Sequence, residues 1–260
     1  MKDLKRERLV TVTCVIFLAL AAVSTAHAAD FKGFYVGGYV GGTNGRSDAA
    51  TTTVFSPTGY FATTSVPAIA TAGAQKLRPS GFTGGGQVGY NFQSGVFVLG
   101  LETDFGSMSL SDSKSTTATY PCCAPTAFTV TQSIETSWLF TLRPRVGFTA
   151  GPLLVYGTGG LAMTNANYQA VFTDTFATAH ENGGKEDNLT GWTAGGGAEV
   201  KFGGRWSVKG EYLYANFGDL STTSNNLTAF TPPISFPSNT FTHRADLRAH
   251  IYRFGLNFHF

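Results

Sequence analysis

Ala249-His250-Ile251-Tyr252-Arg253-Phe254-Gly255-Leu256-Asn257-Phe258-His259-Phe260 is the stretch whose reading decides the fold. Counting back from Phe260, every second residue is bulky and apolar: Phe258, Leu256, Phe254, Tyr252. Between them lie His259, Asn257, Gly255 and Arg253. A period of two over about ten residues matches a tilted strand crossing a bilayer core. Such a strand shows one face to lipid and the other to a polar interior. In hydrocarbon only a closed barrel leaves no backbone group unpaired along a sheet edge.

Seven further segments alternate in the same way, at 34–42, 82–92, 97–105, 138–148, 153–163, 192–202 and 206–214. Together they predict an all-β chain, an eight-stranded antiparallel transmembrane barrel. The outward rows include Phe34, Val36 and Val40, then Phe97, Leu99, Leu101 and Phe105, then Trp206, Val208 and Tyr212. The segment 153–163 is apolar on both parities near its start, and its faces are not assigned by pattern. Pro144 interrupts one ladder, as proline does at an edge or a bulge, and one bulge there is tolerable. Connections at 93–95, 150–152 and 203–205 are short and rich in turn residues. Those at 43–80, 111–132, 169–188 and 219–245 are long, polar and without a clear period. Short periplasmic turns with long outer loops are the pattern of an outer-membrane barrel.

Trp138 and Trp192 fall eleven or twelve residues from the next short turn, and Trp206 beside one. On tilted strands that separation is roughly 25–30 Å of height, which places indoles at both interfaces. A soluble β-sandwich, the competing reading, gives no reason for this banding.

The amino terminus carries Lys2, Lys5, Arg6 and Arg8 before an apolar run ending at Ala26-His27-Ala28, a small-x-small cleavage pattern. The expectation is a cleaved signal peptide over 1–28, taking Cys14 with it, and a barrel domain over 29–260. Cleavage removes those four bases together with Asp3 and Glu7, so the net charge of +2 falls to 0. No basic stripe remains, and nucleic acid is excluded as a partner.

The segments Gly33-Phe-Tyr-Val-Gly-Gly-Tyr-Val-Gly-Gly42, Gly84-Gly-Gly-Gln-Val-Gly-Tyr-Asn-Phe92, Arg143-Pro-Arg-Val-Gly147, Tyr156-Gly-Thr-Gly-Gly-Leu-Ala162, Gly191-Trp-Thr-Ala-Gly-Gly-Gly-Ala-Glu-Val200 and Lys209-Gly-Glu-Tyr-Leu-Tyr-Ala-Asn-Phe217 resemble one family. It is the small outer-membrane β-barrel ("porin family", or outer-membrane immunogenic) proteins of alphaproteobacteria, similar in fold to the OmpA membrane domain. The resemblance covers strands and short turns, not the long loops. It implies an abundant surface protein of the Gram-negative outer membrane, in contact with lipid and lipopolysaccharide and handled by the export apparatus and the barrel assembly machinery. It also implies that the last strand, with Phe260, Phe258 and Tyr252, is the assembly signal. Some members are reported to bind haemin, but no binding residue carries over, because the match lies in the scaffold.

The inward parity gathers four acids, Glu102, Asp104, Glu199 and Glu211, and five bases, Arg143, Arg145, Lys201, Lys209 and Arg253. Lone charges inside a barrel are costly and paired ones are tolerated, so a lumen ion-pair network is expected. A three-residue turn at 203–205 would pair Phe202 with Trp206, and Glu199 with Lys209 as a direct ion pair. Cys122 and Cys123 are adjacent and could form a vicinal disulfide or cross-link two chains; adjacent cysteines lack metal-ligand spacing. Gly157-Thr-Gly-Gly-Leu-Ala162 satisfies G-x-G-x-x-A, but no helix or acidic strand end follows, as a dinucleotide fold requires. His180 and His243 sit on outer loops as conceivable haem ligands, and His243 with Asp246 superficially suggests a hydrolase pair lacking any nucleophile. The reading is a structural, surface-exposed barrel with a side-chain-filled lumen, no catalysis, no metal and no cofactor. Its rivals are a low-conductance porin and a loop-based binding module for haem or a host ligand. The oligomeric state is left open.

Overall fold

Eight long antiparallel strands close on themselves in the computed structural model, which describes residues 30–260. The signal peptide expected over 1–28 and its Cys14 lie outside the described residues. The ring runs β1 (Gly33–Thr53), β3 (Ser80–Ser94), β4 (Phe97–Met108), β7 (Trp138–Ala150), β8 (Leu153–Asp174), β9 (His180–Phe202), β10 (Trp206–Ser224) and β13 (Phe241–His259). Closure is made by β1 against β13, with Val40 opposite Phe254 and Val36 opposite Phe258. Every ring strand therefore has a partner on both sides at membrane height, as hydrocarbon demands.

The alternation read from the sequence sets the two faces. Phe82, Phe97, Leu99, Phe105, Val146 and Phe254 are exposed on the outside, forming an apolar belt around the ring. The faces of β8, which the pattern left unassigned, are also fixed: Leu154, Tyr156 and Ala162 are buried inside, and Val155 and Leu161 face out. At the short turns, Ser94 pairs with Phe97 and Ala150 with Leu153. These are two-residue turns, each opening on a glycine with φ of +59° (Gly95) or +58° (Gly151), the left-handed region glycine enters without steric cost. The third turn has three residues and pairs Phe202 with Trp206, the register expected from the faces.

One local expectation is corrected. No bulge forms at Pro144: Leu101 stays opposite it, and the β7–β8 register is the same above and below. The Thr158 hydroxyl donates to the Pro144 carbonyl there at 2.9 Å. The register shift lies instead between Asn216 and Gly218 of β10, where Gly218 has φ of +81°.

The larger correction concerns the long connections, which are not irregular loops. β1, β8, β9, β10 and β13 continue through them as strands of 19 to 23 residues. A hairpin of β5 (Ser111–Thr119) and β6 (Ala127–Glu135) adds to the outer half of β8, Phe128 opposite Asp174 and Glu135 opposite Asn167. β2 (Gln75–Leu77) pairs with the outer part of β1, and short β11 (Thr228–Ala229) and β12 (Ile234–Ser235) pair with each other. Beyond the bilayer both faces of a strand can be polar, as in Ser111–Thr119, and such a stretch carries no hydropathy signature.

A helix, α1 (Ser65–Gly73), packs against this outer extension, with Ile69 and Ala72 buried. Nine residues are too few to hold a helix in water, so tertiary contacts hold it. Its last carbonyls are moored by two buried glutamines. Gln132 Nε2 donates to the Gly73 carbonyl at 2.7 Å, and Gln75 Nε2 to those of Ala72 at 3.1 Å and Val130 at 2.8 Å.

Candidate functional site

The periplasmic half of the lumen is filled by charge. Glu102 and Arg143 stand opposite each other in the β4–β7 ladder, and Glu211 and Arg253 in the β10–β13 ladder. Both pairs meet directly: Arg143 Nη2 lies 2.7 Å from Glu102 Oε1, and Arg253 Nε 2.6 Å from Glu211 Oε2. Arg253 also forks onto Asp104 through both terminal nitrogens, at 3.0 and 2.9 Å, the two-pronged geometry that favours arginine at such sites. Glu102 is the hub: Lys209 Nζ reaches it at 2.8 Å, and Arg145 and Arg253 approach to 3.6 and 3.8 Å.

Tyrosines and amides finish the solvation that water would otherwise supply. Tyr35 donates to Glu102 at 2.6 Å and Tyr156 to Glu211 at 2.8 Å. The Arg145 guanidinium lies over the Tyr35 ring at 4.5 Å, and that of Arg253 over Tyr39 at 4.4 Å. Glycine makes room for these rings: a methyl group on Gly89 would overlap Tyr35, and one on Gly197 would press on Tyr156. Nearer the periplasm, Glu199 accepts from Ser207 at 2.5 Å and Asn257 at 2.9 Å, and binds Arg145 at 3.1 Å. Four carboxylates thus face the four cations Arg143, Arg145, Lys209 and Arg253, all but closed to solvent.

Two of the expected placements are wrong. Lys201 is not in the network; half-buried at the periplasmic rim, its ammonium donates to the Asp30 carbonyl and lies 5.2 Å from the Phe31 ring. One residue pair from the turn, it reaches out of the mouth more easily than it can enter the charged layer. Glu199 and Lys209 are opposite in register, yet no ion pair joins them. Glu199 is taken up by Arg145 and the neutral donors, and Lys209 extends to Glu102.

The interior is not polar throughout, as the sequence reading had it. Above the charged layer Met108, Leu139, Ala162, Leu213, Leu247 and Ile251 form an apolar layer on the same inward parity. Further out, Phe61, Phe128, Phe172 and Phe241 pack ring to ring, with centroids 5.4 to 5.8 Å apart. The alternations Phe128-x-Val130-x-Gln132-x-Ile134 and Tyr168-x-Ala170-x-Phe172 were the available signal for this core.

The outer histidines are engaged differently. His180 is exposed at the start of β9. His243 is fully buried, its Nδ1 3.0 Å from the Thr51 hydroxyl and its Nε2 3.1 Å from Glu181 Oε1 and 3.3 Å from Ser224. Both ring nitrogens are occupied, which leaves none for haem iron. Asp246 is not its partner; it accepts from the Asp48 amide and pairs with Arg248. Ser224 and Glu181 share one nitrogen of His243, whereas a hydrolytic triad needs them on opposite nitrogens.

At the outer tip Cys122 and Cys123 form a vicinal disulfide. Beside it Asp174 Oδ2 accepts from the hydroxyls of Tyr60 at 2.5 Å and Tyr120 at 2.9 Å. Its Oδ1 accepts the amides of Ala177 and Ala179 at 3.2 and 2.8 Å. Burial, reinforced by that carboxylate, pushes both phenols well above their ordinary pKa. Tyr252 on β13 and Phe260 just after it face outward, and Phe258 packs against Trp206, ring centroids 5.1 Å apart.

A closed ring with an apolar belt, short turns at one end and an elaborated outer extension defines an outer-membrane β-barrel. The chain belongs to the family described as the outer membrane protein beta-barrel domain, whose model matches residues 13–260. It is 33% identical over 192 residues to the 31 kDa outer-membrane immunogenic protein of Brucella melitensis, covering 73% of this chain and 70% of that one. A 29% identity over 146 residues links it to the 25 kDa outer-membrane immunogenic protein of Brucella abortus, 55% of each chain. The 22 kDa outer membrane protein of Rhizobium leguminosarum is 30% identical over 137 residues, 51% of this chain and 52% of that one. Among solved structures, the outer membrane protease OmpT of Escherichia coli overlaps 88% of this chain and 97% of its own at TM-score 0.46 and 9% identity. The attachment invasion locus protein Ail of Yersinia pestis overlaps 86% and 99% at TM-score 0.33 and 12% identity. Neither overlap is close enough to inform the chemistry of this chain. The protein is an outer-membrane protein.

Proposed function

We propose that the chain is a structural, surface-exposed barrel with a side-chain-filled lumen and no catalytic activity. The observation that carries this reading is the burial of the charged layer: Arg143, Arg145, Lys209 and Arg253 are at most 2% exposed. A conducting pore keeps such groups wet, whereas an eight-stranded barrel is just wide enough for side chains to fill it. The buried apolar side chains above, Leu139, Leu213 and Ile251 among them, add to the filling. The outer extension presents an ordered surface held by its own core, suited to display.

The same proposal includes a signal peptide over 1–28 removed on export, and lipid and lipopolysaccharide as the surroundings of residues 29–260. The outward aromatics of β13 serve as the feature read by the barrel assembly machinery. Liposome swelling with a small neutral sugar tests the filled lumen. Proteoliposomes should swell no faster than protein-free ones, and porin-like swelling would refute the reading.

A further inference from the structure

The outer tip holds a cavity of about 190 Å³ walled by Tyr60, Phe61, Tyr120, Phe176 and the Cys122–Cys123 disulfide. It lies at the end of the barrel opposite the short turns, beside the Asp174 end of β8, and Phe176 on its rim is half exposed. We propose that this cavity is a binding site for a small neutral single-ring aromatic molecule carrying one hydrogen-bonding group, a phenol in its simplest form.

Size argues first. A 150 Å³ apolar cavity takes up benzene, so 190 Å³ accommodates one substituted ring and little more. The walls argue next: ring faces and edges on several sides, and two sulfurs, offer stacking and sulfur–aromatic contacts together. Charge argues for neutrality. Asp174, the nearby acid, spends both oxygens on Tyr60, Tyr120 and two backbone amides, so a cation gains no partner from it. Among the described residues no lysine or arginine lines the cavity to receive an anion.

The polar handle is Ser65. It lines the cavity, is 1% exposed, and among the described residues the one side-chain contact of its hydroxyl is the Cys122 sulfur at 3.8 Å, a weak acceptor. A buried hydroxyl so poorly matched gains from a ligand oxygen placed within reach. The inference stands independently of whether the lumen is filled, because the cavity lies in the outer extension.

The test is 19F NMR titration of 4-fluorophenol into the refolded full-length protein, with empty micelles as the blank. Fluorobenzene, 4-fluorobenzoate and 4-fluorobenzylammonium serve as comparisons. A saturable shift above the blank is expected for 4-fluorophenol, weaker by about three- to tenfold for fluorobenzene and in Ser65→Ala. The two charged analogues should not saturate. Ala62→Phe, at the exposed edge of the cavity, should abolish saturation, and Phe176→Ala should weaken it at least threefold. Folding of each variant is read from heat-modifiable gel mobility; should Ala62→Phe fail to fold, Phe176→Ala decides. Identical titrations of wild type and a folded cavity variant, or equal binding of the benzoate, would overturn the proposal.

Discussion

Lys209 and Glu199 stand opposite one another in the β9–β10 ladder, both buried inside the barrel, yet the Lys209 ammonium lies 2.8 Å from Glu102 on β4. In the ring β4 and β10 are four strands apart in either direction, so this pair spans the full diameter. Side-chain length, not register, chooses the partner. A double-mutant cycle on Glu102→Gln and Lys209→Met should show coupling of about 0.5–3 kcal/mol in urea unfolding from lipid or detergent. Glu102→Gln should cost about 3–5 kcal/mol, because it leaves Lys209 in a dry lumen with Glu211 at 3.9 Å. Lys209→Met should cost less, because Arg143 still holds Glu102 at 2.7 Å. The corresponding cycle on Glu199→Gln and Lys209→Met should be close to additive. Strong coupling there would return the pair to Glu199.

Gly89→Ala should destabilise the barrel by about 1–3 kcal/mol, since the added methyl overlaps the Tyr35 ring and must displace its hydroxyl from Glu102. Gly86→Ala, three residues earlier on the outward parity, meets no atom closer than 3.9 Å and should be tolerated. Equal midpoints for the two variants in urea would show that the tyrosine does not lie over Gly89.

Alkaline titration tests the outer tip. Tyr60 and Tyr120 have folded pKa values raised above the ordinary phenol value of about 10. The fold therefore favours the protonated phenols: their contribution to stability is complete below about pH 10 and is lost as pH rises toward the folded values. Absorbance at 295 nm should show neither phenol ionising at its ordinary pH, and Tyr60→Phe/Tyr120→Phe should leave the early part of the curve unchanged. A smaller early amplitude in that variant would mean that the pair is free to ionise.

Under non-reducing denaturation, maleimide should label neither Cys122 nor Cys123, and both after reductant, as their disulfide requires. Labelling without reductant would contradict the bond.

Much of this architecture was legible because a lipid-facing strand must alternate. The row Tyr252, Phe254, Leu256 fixed the outward parity of β13, and the charges on the inward parity followed. Partner choice was not legible: Glu199 and Lys209 are adjacent on paper, but nothing in a linear pattern shows that Arg145 and Ser207 already satisfy Glu199. Lys201 was misplaced for a related reason, because parity gives direction without depth along the barrel axis. The outer strands were missed where both faces are polar, as in Ser111-Asp-Ser-Lys-Ser-Thr-Thr-Ala-Thr119. The apolar layer of Leu139, Leu213 and Ile251 was missed because the filled lumen was read as polar throughout, whereas a filled one packs like any protein interior.

Single-channel recording of the refolded barrel in a planar bilayer bears most directly on the filled lumen. The ion-paired layer of Glu102, Asp104, Arg143 and Arg253 predicts a quiet baseline, broken at most by rare, small events. Steady steps on the nanosiemens scale, reproducible from insertion to insertion, would mean a continuous water path through that layer and would contradict the account.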